Sequence, residues 1–176
     1  MKRLFKRAII SLFILLLAAC LGFIVLLRQT PAGPSPVTEL DQYSEILESF
    51  ADTPSIRHFP IKIPADVSEA YLYYHPGFLQ GGTVFQLRLQ LPKEQILVEK
   101  ERWLAQAIDI SEYGSIPLRS LRAGHEAGIQ MPETFELIWL GAEPAGQGNY
   151  EWNHGSTYGV AIDEVNSEIV YWFEWW

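Results

Sequence analysis

The stretch that decides the fold is residues 83–91, TVFQLRLQL. Apolar residues stand at positions 85, 87, 89 and 91, and polar residues stand at 86, 88 and 90 between them. Because successive side chains of a β-strand point to opposite faces, this alternation predicts a strand with one buried face and one face in water. Such half-buried strands are typical of antiparallel sheets.

Four more segments are predicted to be strands of the same sheet. Residues 70–75 (AYLYYH) are rich in aromatic side chains, and a loop containing Gly and Pro joins them to 83–91, which predicts a hairpin. Residues 134–140 form the next predicted strand. Residues 157–163 and 168–175 form a second predicted hairpin, because a short polar turn separates two runs rich in strand-forming residues.

Two amphipathic helices complete the predicted domain. The first begins at Thr38, with Asp41 at the reciprocal position of a capping box. The second runs from Pro92 to Ile108, since proline is favoured at the first position of a helix. This order of elements predicts an α+β domain: an antiparallel sheet of about five strands with two helices on one face. Residues 109–132 show no clear periodicity and are expected to form a functional or poorly ordered loop.

The N-terminal end carries the pattern of a membrane anchor. No charged residue stands between Ala8 and Leu27, a run whose length matches the hydrocarbon core of a bilayer as a helix. Basic residues precede this run and Arg28 closes it, which predicts a cytoplasmic N-terminus and a domain outside the cytoplasm. The predicted organisation is a basic segment (1–7), a transmembrane signal anchor in the lipid bilayer (8–27), a Pro-rich linker (28–36) and an extracytoplasmic domain (37–176).

Cys20, the one cysteine of the chain, leaves a second interpretation of this segment open. Leu17-Ala18-Ala19-Cys20 resembles the lipobox of bacterial lipoproteins, in which the cysteine is lipidated and becomes the new N-terminus. The apolar run continues beyond it to Leu27, which favours the spanning helix. An exported domain without disulfides is typical of bacteria, so we expect a bacterial cytoplasmic membrane, with the domain periplasmic or extracellular.

The domain that follows the anchor is strongly acidic. Five of the 13 basic residues lie at or before Arg28, so eight basic residues remain against all 21 acidic ones, a net charge of −13. Phosphate backbones and anionic lipid headgroups repel such a surface. Nucleic acid is therefore not an expected partner.

No motif in the sequence determines a particular chemistry. The four histidines are scattered without a His or Cys at metal-ligand spacing, so neither a metal nor a cofactor is expected. His154, in the loop sequence Trp152-Asn153-His154-Gly155, is a candidate general base, with Glu151 or Asp163 as its carboxylate. The interpretation we favour is that this loop supplies the turn that leads into a strand.

Arg119 and Arg122, with His125 nearby, form a local basic cluster in this acidic domain. A pair of arginines can bind an anion such as a carboxylate or phosphate group. The alternative we favour is that these side chains pair with the acidic surface.

The last predicted strand is rich in aromatic residues, and its alternation places Trp172 and Trp176 on one face. Two interpretations are equally supported: an exposed patch suited to protein contact or sugar stacking, or a core that a second helix or the long loop covers.

The leading functional hypothesis is a non-catalytic protein-interaction module of the bacterial envelope that binds an unidentified envelope protein. The candidate surface consists of Trp152, His154, Tyr158, Trp172 and Trp176. One alternative is a domain that binds an envelope saccharide or another small ligand between Trp152, Tyr158 and Trp172. Another alternative is an envelope hydrolase that uses His154.

The two interpretations of residues 8–27 predict different masses for the mature protein. If the segment is a signal anchor, protein extracted in detergent should retain every residue through Cys20 and carry no acyl chain. Intact-mass spectrometry checks this. Loss of residues 1–19 together with added acyl mass would establish the lipoprotein instead.

Overall fold

The computed structural model describes residues 33–78, 82–112, 121–124, 127–129, 133–144 and 155–175. In this part of the chain, no helix is both long and apolar enough to cross a membrane. The predicted anchor (8–27) and Cys20 lie outside it, so anchoring and lipidation stay predictions. The domain is one compact unit, Ser35–Trp176.

One antiparallel sheet of six strands forms the domain, which confirms the predicted α+β class and both predicted hairpins. From one edge to the other, the strands are β1 (Glu69–His75), β2 (Thr83–Gln90), β6 (Glu168–Trp175), β5 (Gly155–Asp163), β4 (Glu136–Pro144) and β3 (Asp109–Glu112). Strands β2, β6, β5 and β4 therefore lie in the interior of the sheet, and β1 and β3 form its edges.

The prediction of about five strands is wrong because it omits β3. This short strand pairs with β4, from Asp109 opposite Trp139 to Glu112 opposite Glu136. Strand β4 also extends to Pro144, beyond the predicted end at residue 140, because a bulge carries it into the Gly- and Pro-containing stretch.

The described residues include two α-helices: α1 (Tyr43–Ser49), which follows a 3-10 turn at Leu40–Gln42, and α2 (Lys93–Leu104). The predicted capping box is wrong. No side chain caps the 3-10 turn, and the Thr38 backbone N–H donates to the Glu39 carboxylate instead.

Helix α2 also ends four residues before the predicted Ile108. The chain must turn there to reach the sheet, where the Ile108 N–H donates to the Trp139 carbonyl oxygen at 2.8 Å.

Both helices pack on the same face of the sheet, as predicted. Phe85 of β2 lies in the centre of this face, stacked on Phe59 with ring centroids 4.6 Å apart and close to Tyr43 of α1. Helix α2 contributes Ile96 and Trp103, both buried. The helix face is thus an aliphatic and aromatic core.

The opposite face, called the second face below, is also buried, contrary to the prediction that the polar side of residues 83–91 faces water. Gln86 is fully buried, and its Oε1 accepts hydrogen bonds from the backbone N–H groups of Arg122 and Ala123 at 2.5 and 3.1 Å. An apolar cluster lies around it, formed by Leu121, Phe135, Leu137, Trp139, Ala161, Val170 and Trp172. Alternation alone could not reveal this cover, because it shows which side chains share a face and not what lies against them.

A buried ion pair also lies on the second face. Arg88 donates to both carboxylate oxygens of Glu168, at 3.2 Å from Nε and 2.6 Å from Nη2. The two side chains are only 2% and 12% exposed. Removing one partner of such a pair strongly destabilises the fold, because the other charge stays buried without its counter-charge.

We expect Glu168→Gln to lower the free energy of unfolding by about 3 kcal/mol, because it removes the charge that balances the buried guanidinium of Arg88. Urea denaturation followed by fluorescence measures the loss. Glu164→Gln is the matched control: Glu164 pairs with Lys100 at 2.6 Å, but its side chain is 44% exposed. That change should cost less than about 1 kcal/mol. Equal losses in the two variants would contradict the prediction.

Candidate functional site

The structure describes only some of the candidate residues. Trp152, His154, Trp176 and Arg119 lie outside the described residues, as do Glu151 and His125. Their proposed roles therefore stay predictions. Four candidate residues have described positions: Tyr158, Trp172, Arg122 and Asp163.

Tyr158 and Trp172 lie on opposite faces of the sheet. Tyr158 is paired with Phe173 and lies on the helix face, with its ring centroid 5.6 Å from that of His58. Trp172 is paired with Gly159 and lies on the second face, where it is fully buried. The two side chains therefore cannot line one ligand site.

Trp172 belongs to the core and not to an exposed aromatic patch. Trp139 packs edge-on against it with ring centroids 4.9 Å apart. Gly159, opposite it, makes room for the indole: a Cβ there would lie 3.0 Å from the Trp172 ring and would collide with the Ile138 carbonyl oxygen. Of the two interpretations of this face, cover by a loop holds for Trp172, because Leu121 lies in the same buried cluster.

Arg122 lies at the border of the second face, with an exposed side chain. Its Nη1 donates to the Tyr73 hydroxyl at 3.3 Å, and its guanidinium lies 5.8 Å from the centroid of the same ring. Its backbone is held by Gln86. Tyr73 thus positions this cation at the surface, and an anion contact stays a prediction.

Asp163, one carboxylate proposed for a hydrolase, is engaged in the β5–β6 turn. It accepts hydrogen bonds from the Thr134 hydroxyl at 2.7 Å and from the backbone N–H groups of Val165 and Asn166 at 2.8 and 3.2 Å. Burial opposes its ionisation, but these hydrogen bonds outweigh burial and lower its pKa. The carboxylate therefore stabilises the turn.

Three buried donor groups on the second face have no hydrogen-bond partner among the described residues: Gln86 Nε2, Thr157 Oγ1 and Trp172 Nε1. Gln86 and Trp172 are direct cross-strand neighbours. Thr157 of β5 lies opposite Glu174, the next residue of β6 on the same face as Trp172. Unpaired donors would suit an oxygen-bearing ligand, but protein atoms enclose all three. These donors are therefore part of the core and not an open binding site.

His58 is a buried histidine that the sequence did not single out. Its Nε2 lies 3.1 Å from the backbone carbonyl oxygen of Trp172, and its ring lies 4.6 Å from that of Phe59. Desolvation lowers its pKa to about 4, although the hydrogen bond to Trp172 acts in the opposite direction. Because a carbonyl oxygen only accepts, the neutral imidazole carries its hydrogen on Nε2. His58 therefore joins the segment before β1 to the centre of the sheet.

The β3 edge of the sheet carries exposed apolar side chains. Ile108 and Ile110 are 62% and 50% exposed, and they are two residues apart, on the same face. Within the described ranges, no segment pairs with the outer side of β3. We call Ile108–Glu112 the β3 edge. In the sequence, Ile108 and Ile110 alternate with polar residues, which indicates a strand. This pattern was missed because the predicted second helix includes Ile108.

The β1 edge at the other end of the sheet is partly covered. Val37 pairs with Tyr74 through two backbone hydrogen bonds of 2.7 and 2.9 Å. The N-terminal part of the domain thus lies along β1, and the two edges of the sheet differ.

No cluster of three or more His, Cys, Asp or Glu side chains suited to a metal occurs among the described residues. Comparison of the chain with protein-family models, curated proteins and solved structures finds no match. The candidate site therefore depends on the geometry of this domain alone.

The low pKa of His58 predicts that the domain loses stability in acid. The unfolded chain binds a proton near pH 6.5 and the folded chain only near pH 4, so the free energy of unfolding falls as the pH drops through this window. Between pH 7.5 and 5.0, His58 should account for a loss of about 2 kcal/mol.

Urea denaturation of the wild type and of His58→Gln at both pH values measures this contribution. The variant should show a smaller pH dependence by that amount, because glutamine does not titrate. His75→Gln, at a half-buried position on β1, is the control and should retain the wild-type pH dependence. An unchanged pH dependence in His58→Gln would contradict the buried neutral histidine.

Proposed function

We propose that this chain is a membrane-tethered, non-catalytic protein-interaction module of the bacterial envelope that binds a partner protein by strand addition at the β3 edge. The observation that carries the proposal is an edge strand with an exposed isoleucine, Ile110, and a second exposed isoleucine, Ile108, directly before it. An extended peptide can add to such an edge through backbone hydrogen bonds, while its alternate side chains contact the exposed residues. Exposed apolar edge strands are otherwise a risk for aggregation, so they call for a partner or for protection.

The difference between the two sheet edges supports this assignment. Val37 occupies part of the β1 edge, where the chain enters the domain. The β3 edge lies five strand spacings away, about 24 Å. A partner at the β3 edge would thus contact the domain far from the point where the proposed membrane tether is attached.

The burial and hydrogen bonding of two described titratable groups support a non-catalytic role. His58 is buried and neutral, and Asp163 is engaged by four hydrogen bonds in a turn. The saccharide hypothesis has less support, because Tyr158 and Trp172 lie on opposite faces.

Site-specific photocrosslinking tests the proposal in the full-length protein in its native membrane. A benzophenone amino acid at Ile110 should form an adduct with one recurring protein, and mass spectrometry should map that adduct to one segment of the partner. Ile61, which is 83% exposed in the loop before β1, is the matched control position and should not form this adduct. Ile108→Asp should abolish the adduct at Ile110, because it places a charge in the apolar contact.

Absence of an adduct at Ile110 would refute the proposal. The same set of adducts from Ile110 and Ile61 would also refute it, because such adducts would reflect random collisions.

A further inference from the structure

We infer that the segment bound at the β3 edge is an extended chain in which apolar residues alternate with lysine or arginine. This inference rests on the proposed function and specifies the partner's chemistry. It follows from the side chains that the two sides of the β3 edge present and from the charge of the domain.

The helix side of the β3 edge requires apolar neighbours. Ile110 pairs with the buried Ile138 of β4, so it lies on the helix face, and Ile108 lies two residues before it on the same face. Side chains on an added strand would lie about 4.5–5.5 Å from those directly opposite. Apolar side chains at these positions would remove the exposed surface of both isoleucines from water.

The other side of the β3 edge requires basic neighbours. Asp109 is exposed and pairs with Trp139, which lies on the second face, so its carboxylate is on the side opposite Ile110. One carboxylate oxygen of Asp109 accepts a hydrogen bond from the Ile110 N–H at 2.8 Å. A carboxylate can accept further hydrogen bonds, so a lysine or arginine on that side of the added strand would complete a charge-assisted pair.

The overall charge of the domain favours the same partner. Residues after Arg28 carry a net charge of −13. A field of this sign accelerates association with a cationic segment and opposes an anionic one.

A second copy of this chain is a poor occupant. If two β3 edges paired antiparallel with Ile108 of each copy opposite Ile110 of the other, the two Asp109 side chains would lie directly opposite each other. Like charges directly opposite each other destabilise a strand pair. The net charge of each domain adds a long-range repulsion, so the favoured partner is a different, basic chain.

Fluorescence anisotropy with three labelled six-residue peptides tests the inference on the full-length protein in detergent at low salt. The first peptide alternates lysine with isoleucine, the second alternates glutamate with isoleucine, and the third has the first peptide's composition with its three lysines before its three isoleucines. The alternating lysine peptide should bind about tenfold more tightly than either of the others. Its affinity should fall at high salt, because screening weakens the contact between its lysines and the acidic surface.

Two variants locate the binding. Ile110→Lys should weaken binding of the alternating lysine peptide about tenfold, because it adds repulsion and removes apolar contact. Ile61→Lys makes the same chemical change at a loop position and should leave the affinity within about twofold of wild type.

Equal affinity for the three peptides, or an unchanged affinity in Ile110→Lys, would overturn the inference. If a mapped adduct at Ile110 persists in that case, the interaction module stands and its partner segment has another chemistry. If position 110 forms no adduct, the proposed function itself fails.

Discussion

Burial of β6 on both faces is the constraint on which the rest of this domain depends. The strand lies between β2 and β5, and each of its residues from Glu168 to Glu174 is buried. A strand in this position needs a cover on both sides. The two helices and the segment before β1 supply one cover, and residues around Leu121 and Phe135 supply the other.

The covered second face explains why polar residues occur in the middle of the sheet. Gln86 and Arg88 are buried there, and a buried polar group is costly unless it is hydrogen-bonded. Gln86 meets this requirement through its Oε1, which accepts hydrogen bonds from the backbone at Arg122 and Ala123, and Arg88 meets it with Glu168. These contacts determine where the covering segment lies, which apolar packing alone would leave less defined.

The two covers also meet at a single residue. Trp172 places its indole in the core of the second face, and its carbonyl oxygen accepts a hydrogen bond from His58 on the helix side. Since His58 must be neutral to remain buried, the attachment of the segment before β1 is linked to pH. With the faces covered and the β1 edge partly occupied, the β3 edge is the part of the sheet that we assign to a partner.

The sequence by itself determined the antiparallel hairpins, the acidic charge and the pairing of side chains by face, because alternation and composition are local properties. It contains no motif that determines a particular chemistry. Only the tertiary structure decided that Trp172 is buried, that Tyr158 lies on the opposite face, and that Ile110 belongs to a sixth strand with Ile108 directly before it. The physical reason is that burial and edge position depend on where distant segments of the chain lie. Gln86 is buried because residues 121–123 lie against it. Ile110 is exposed because β3 is an edge strand of the sheet.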